Sequence, residues 1–105
     1  MITPTVGRKV WYRPSAHDKT GPIPMSCGTG KPLDATVVDV HGDRMVNLVI
    51  FDSYGKQFNK TSVTLIQEGD VKPVDANGNE VGGYCEWMPY QVGQAKKHEA
   101  VPAAE

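Results

Sequence analysis

Between Ala35 and Ile66 the chain runs through short apolar-alternating stretches separated by turns of three or four residues, each turn carrying a glycine. No other feature restricts the fold as strongly. Connections that short cannot make the crossover a parallel pair needs, so successive stretches must lie antiparallel. Ala35-Thr-Val-Val-Asp-Val40 reads as a strand and His41-Gly42-Asp43 as a tight turn. Arg44–Phe51 is a second strand, with Val46, Leu48 and Ile50 on one face and Met45, Asn47, Val49 and Phe51 on the other. After the turn Asp52-Ser53-Tyr54-Gly55 come Lys56–Thr61 and then Ser62–Ile66, where Val63 and Leu65 alternate with Thr64 and Ile66. Gly42 and Gly55 are expected to supply the positive φ that short hairpin turns require.

The flanks extend this β reading. Val6–Tyr12 reads as a first strand, Val10 and Tyr12 facing one way and Trp11 the other. Residues 13–34 hold Pro14, Pro22, Pro24 and Pro32 with Gly21, Gly28 and Gly30, which leaves no periodicity and predicts a long loop. Loops past about 12–15 residues are generally functional or mobile. Val71–Val74 and Glu80-Val81 flank Asp75–Asn79, where Asn77-Gly78 signals a hairpin turn. Pro73 confines its strand to an edge. Gly82-Gly83 reads as a hinge before Tyr84–Tyr90. The expected organisation is one β domain over residues 1–93, followed by a flexible or weakly helical tail over residues 94–105.

Composition narrows the function classes. A chain of 105 residues with a formal net charge of −1 is a single small domain and lacks the strong basicity of a nucleic-acid coat. The charge is mildly segregated: residues 1–34 carry five basic and two acidic groups, while the rest of the chain is acidic. No apolar run is long enough to span a membrane, and Met1-Ile2-Thr3-Pro4 lacks the features of a secretory signal. Cys27 and Cys85 are therefore expected as free thiols, a disulfide between them being the alternative in an oxidising compartment. The cysteines and His17, His41 and His98 are scattered singly, so neither a metal nor any other cofactor is expected.

Val6–Tyr12 and Ala35–Ile66, a first strand, a long loop and hairpin-linked strands, resemble the SH3-like barrels, including Tudor-type and ribosomal-type modules. The resemblance implies a small barrel or strongly curved sheet of five antiparallel strands, with the 71–81 hairpin as an addition. Barrels of this kind commonly bind ligands through aromatic grooves between their loops. A second resemblance, carried by Val37–Leu48 (VVDVHGDRMVNL) and Trp87–Lys96 (WMPYQVGQAK), is to small proteins of tailed bacteriophages and prophages. It implies a phage-encoded protein working in the bacterial host cytoplasm or in the virion, and carries over no site residues.

No catalytic motif is complete. Cys27-Gly-Thr-Gly-Lys31 suggests a phosphate loop, but the defining positions hold Met25 and Pro32, and a strand follows where a helix is required. Ser26 and Cys27 lie near His17 without a nucleophile elbow or an orienting acid. Asn59-Lys60-Thr61 is a formal glycosylation sequon that is accidental without export. The chain is thus expected to be a non-enzymatic module that binds another protein, with Trp11, Tyr12, Tyr54, Trp87 and Tyr90 as candidate contacts. Phe58 and at least one tryptophan are expected in the core, where each ring covers much apolar area. The alternative is a weak nucleic-acid binder using Arg8, Lys9, Arg13, Lys19 and Lys31 against phosphates, with Tyr12 or Tyr54 stacking on bases.

Overall fold

The computed structural model describes residues 1–100, with side chains through residue 97. The elements are β1 (Lys9–Arg13), α1 (Ala16–Thr20), β2 (Leu33–Gly42), β3 (Met45–Phe51), β4 (Gln57–Ile66), β5 (Tyr84–Glu86) and α2 (Pro89–Ala100). The strands close a barrel in the order β1-β2-β3-β4-β5, a mainly β architecture consistent with an SH3-like barrel. Three of the four neighbouring pairs within that order are antiparallel, and β5 closes the ring by lying antiparallel to β1 and parallel to β4. The parallel contact is possible because residues 67–83 form a connection long enough to cross over.

The alternation in β3 holds: Val46, Leu48 and Ile50 are buried, and Met45 is exposed. Val10, Tyr12, Ala35, Val37, Val63 and Leu65 join them in one core, which also takes Cys85 and Trp87 from the C-terminal end. Phe58 packs against its margin. Ile66, sent outward by alternation, is also buried, in a crevice it shares with Trp87, Pro89 and Val92.

Several local expectations change. Gly42 is not a turn glycine: β2 runs on through it and the turn falls on Asp43 and Arg44. Register shifts between Val37 and Asp39 and between Val40 and Gly42 displace the turn. Gly55 does take the expected φ, at 82°. Residues 56–61 and 62–66 are not separate strands, since β4 is continuous and bends at Ser62, whose φ is 53°. There the Asn47 side chain fills the irregularity, its Oδ1 accepting from Ser62 N at 2.8 Å. The fifth strand comes instead from residues 84–86. The 71–81 hairpin is reduced to a single bridge between Val74 and Glu80. The chain is helical over Pro89–Ala100, beginning four residues before the expected domain limit, and the last part of the expected tail, 101–105, lies outside the described residues, as does the His98 side chain.

One polar residue closes the barrel end nearest the N-terminus. Gln67 is 2% exposed. Its Oε1 accepts from Ile2 N and Trp87 Nε1, each at 3.1 Å, and its Nε2 donates to the carbonyls of Ile2 and Asp43, each at 2.8 Å. Every hydrogen-bonding position of the amide is used, which is what allows it to be buried.

Candidate functional site

The opposite end of the barrel is built by the 14–32 segment, which is ordered rather than a plain loop. Ser15 caps α1: its Oγ accepts from Asp18 N at 3.1 Å, and Asp18 Oδ2 accepts from Ser15 N at 2.9 Å. This reciprocal box satisfies two amides that a helix start otherwise leaves open. Asp18 is itself 6% exposed. It accepts from the Tyr12 hydroxyl and pairs with Lys60 Nζ at 2.6 Å, so α1 is tied to β1 and β4 together. Burial raises the carboxyl pKa, but Lys60, Tyr12 and the Ser15 amide outweigh it and hold Asp18 below the ordinary aspartate value. Burial, and then the Asp18 acceptor, push the Tyr12 phenol upward.

Further along, Met25 N donates to Asp18 O at 2.8 Å, and the Met25 side chain enters the core. A second buried carboxylate, Asp52, accepts from the amides of Ser26, Tyr54 and Lys56 at 2.9–3.1 Å. It thereby joins the segment to the β3–β4 turn. Burial opposes its charge, but the three amides lower its pKa overall. The turn from Cys27 to Lys31 is closed by Lys31 N donating to Gly28 O at 3.1 Å and by the Cys27 thiol donating to Lys31 O at 2.9 Å.

The third wall is the Gly82-Gly83 stretch. A side-chain carbon on Gly82 would stand 2.0 Å from the Pro14 carbonyl oxygen, so only glycine allows this approach. Gly83 N donates to Arg13 O at 2.6 Å. The pair therefore clamps the connection against β1 and does not act as a hinge.

These walls enclose a groove of about 350 Å³ lined by Arg13, Lys19, Lys31, Lys72, the turn glycines Gly28 and Gly30, and the buried Tyr84. Arg13 is held in place from three sides. Its Nε donates to Glu86 at 2.7 Å, its Nη1 donates to Gly30 O at 3.0 Å, and its guanidinium lies 5.5 Å from the centre of the Trp11 ring. Lys72 Nζ also faces Glu86, at 3.4 Å. Lys19 and Lys31 have no acidic partner among the described residues. Glu80 is the one acid on the lining, and it is exposed at the rim. The groove thus carries a net positive charge on a chain whose total is −1.

The basic candidates divide accordingly. Arg13, Lys19 and Lys31 converge on the groove, whereas Arg8 lies over the Trp87 ring at 5.7 Å and Lys9 pairs with Asp34 at 3.2 Å. The aromatic candidates do not form one cluster. Tyr12 and Trp87 are core residues, so burial removes them as contacts and removes Tyr12 as a base-stacking ring. Trp11 is half-buried beneath Arg13, and Tyr54 and Tyr90 are 87% and 72% exposed, on the β3–β4 turn and on α2 respectively. Lys72, Gly82 and Glu86 entered the site without a sequence signal, because each arrives from the distant connection. The Ser15-x-x-Asp18 spacing, by contrast, is a legible capping signature that predicts α1.

Cys27 and Cys85 are both free thiols. Burial raises the Cys85 pKa to about 12. No group of three or more histidine, cysteine, aspartate or glutamate side chains that could hold a metal ion comes together among the described residues. Comparison with protein-family models, with curated protein sequences and with solved structures yields no match, so the groove is interpreted from its own residues and their geometry.

Proposed function

We propose that this chain is a non-enzymatic interaction module that docks another protein by seating an acidic segment in the groove of Arg13, Lys19, Lys31 and Lys72. The observation that carries the reading is the convergence of four cations from three separate parts of the chain on one concave surface. A rigid barrel beneath it supports the reading, because a preorganised cationic groove loses little entropy when a ligand arrives. The non-enzymatic half rests on the groove's chemistry: the Cys27 thiol donates to a backbone carbonyl and not to a base. The likeness of residues 37–48 and 87–96 to tailed-phage proteins suggests that the partner belongs to the phage or to its bacterial host.

The test is capture from lysate of phage-infected bacteria, run in parallel with the intact chain and with Lys19→Glu plus Lys31→Glu. A defined protein retained by the first and lost by the second supports the reading. Equal capture by both, or none by either, overturns it. A second reading, nucleic-acid binding, is favoured by one observation: Tyr54 is exposed at the same barrel end as Lys19 and Lys31. It requires oligonucleotide affinity that falls steeply with salt and vanishes in the same double variant.

A further inference from the structure

We infer that the groove is a seat for a phosphoryl group, a phosphomonoester carried on the docking segment of the protein partner; this rests on the protein-docking reading above. The Cys27–Lys31 turn fails as a nucleotide loop because a strand follows it, yet it faces the cationic cavity with two glycines on the lining. Gly30 takes a φ of 72°, which lets the turn close without a side chain projecting into the groove. The amides of Gly28 and Gly30, both residues on the groove lining, have no hydrogen-bond acceptor among the described residues.

The Arg13 guanidinium adds the directional part. With Nε on Glu86 and Nη1 on Gly30 O, both hydrogens of Nη2 remain without an acceptor among the described residues. A planar fork anchored on two sides and stacked on Trp11 is a prepared oxyanion donor, and little rotamer freedom is left to lose. Lys19 and Lys31, having no counter-ion, supply charge. A carboxylate carries one charge and two oxygens, whereas a phosphomonoester near neutral pH carries about −1.5 to −2 and three strong acceptor oxygens. The second inventory is the better match to two lysines without a counter-ion, two further cations that share the single carboxylate of Glu86, and the glycine amides on the lining. A cavity of about 350 Å³ also leaves room for the side chain that carries the group.

The experiment is amide NMR of the full chain, titrated at constant ionic strength with four probes. These are a phosphoserine peptide, the same peptide with serine, the same with glutamate, and a single-stranded oligonucleotide. The phosphopeptide is expected to shift Gly28, Thr29, Gly30 and Lys31 and to bind about tenfold more tightly than the glutamate form, the worth of one charge-assisted hydrogen bond. Lys31→Glu and Lys19→Glu, both at exposed positions, should each weaken that binding by at least a comparable factor. Equal affinity for the glutamate peptide overturns the phosphoryl seat and leaves acidic docking standing. Preference for the oligonucleotide overturns both readings. Silence from all four probes, or shifts confined to residues away from the turn, overturns the phosphoryl seat alone, since the lysate capture tests docking separately.

Discussion

At the scale of single residues, a few buried polar groups each tie distant parts of the chain together around the apolar core. Gln67 bonds the N-terminal segment, the β2–β3 turn and Trp87 at once. Gln67→Leu keeps the volume but strands the Ile2 amide and the Trp87 indole N–H, at a cost of about 2–4 kcal/mol. Urea unfolding followed by tryptophan fluorescence would measure it, and an unchanged midpoint would show that water replaces the amide. The two thiols make a second residue-scale contrast. Cys85 is fully buried with its pKa raised to about 12, whereas Cys27 is half-buried at the groove. Iodoacetamide at pH 8 should therefore modify Cys27 in the folded protein and reach Cys85 only after denaturation, as peptide mass mapping would reveal.

Among the elements, the 14–32 segment and the 80–84 stretch matter most, because they build the groove. Asp18→Asn removes the charge that Lys60 faces and that Tyr12 donates to. We expect a loss of about 2–3 kcal/mol, below the value for a fully buried pair because Lys60 still reaches water. Amide exchange should quicken across residues 15–25 while β2 and β3 stay protected. Gly82→Ala acts from the other wall. The added methyl meets the Pro14 carbonyl, so the connection must lift off β1, with a loss of at least about 2 kcal/mol and weaker ligand capture. An alanine variant with unchanged melting temperature and binding would mean that the wall yields freely. Element boundaries also show where sequence patterning stopped being informative. The alternation of β3 needed only its own side chains, but the single continuous β4 depends on Asn47, fifteen residues away, filling the bend at Ser62.

Over the whole molecule, acid sensitivity integrates these sites. Asp18, Asp52 and Asp70 all titrate below the ordinary aspartate value; Asp70, beside the Arg44 guanidinium and the Gln67 amide, is lowered to about 2. A carboxyl whose folded pKa is depressed binds protons more readily when unfolded. Its contribution is therefore complete above about pH 5 and declines as the pH falls toward 2. Thermal melts from pH 5 to pH 2 should show that decline, and Arg44→Ala should flatten part of it. The antiparallel pairing of residues 35–66, the inward faces of β1 and β3, and the turn at Gly55 were legible in the chain, because each follows from spacing between near neighbours. The closing strand Tyr84–Glu86, which of the two tryptophans enters the core, and the meeting of Lys72 with Arg13, Lys19 and Lys31 were not. They arise only once the barrel closes, since a ring of strands sets side by side residues that no local periodicity relates, and burial then decides which rings and charges still face water.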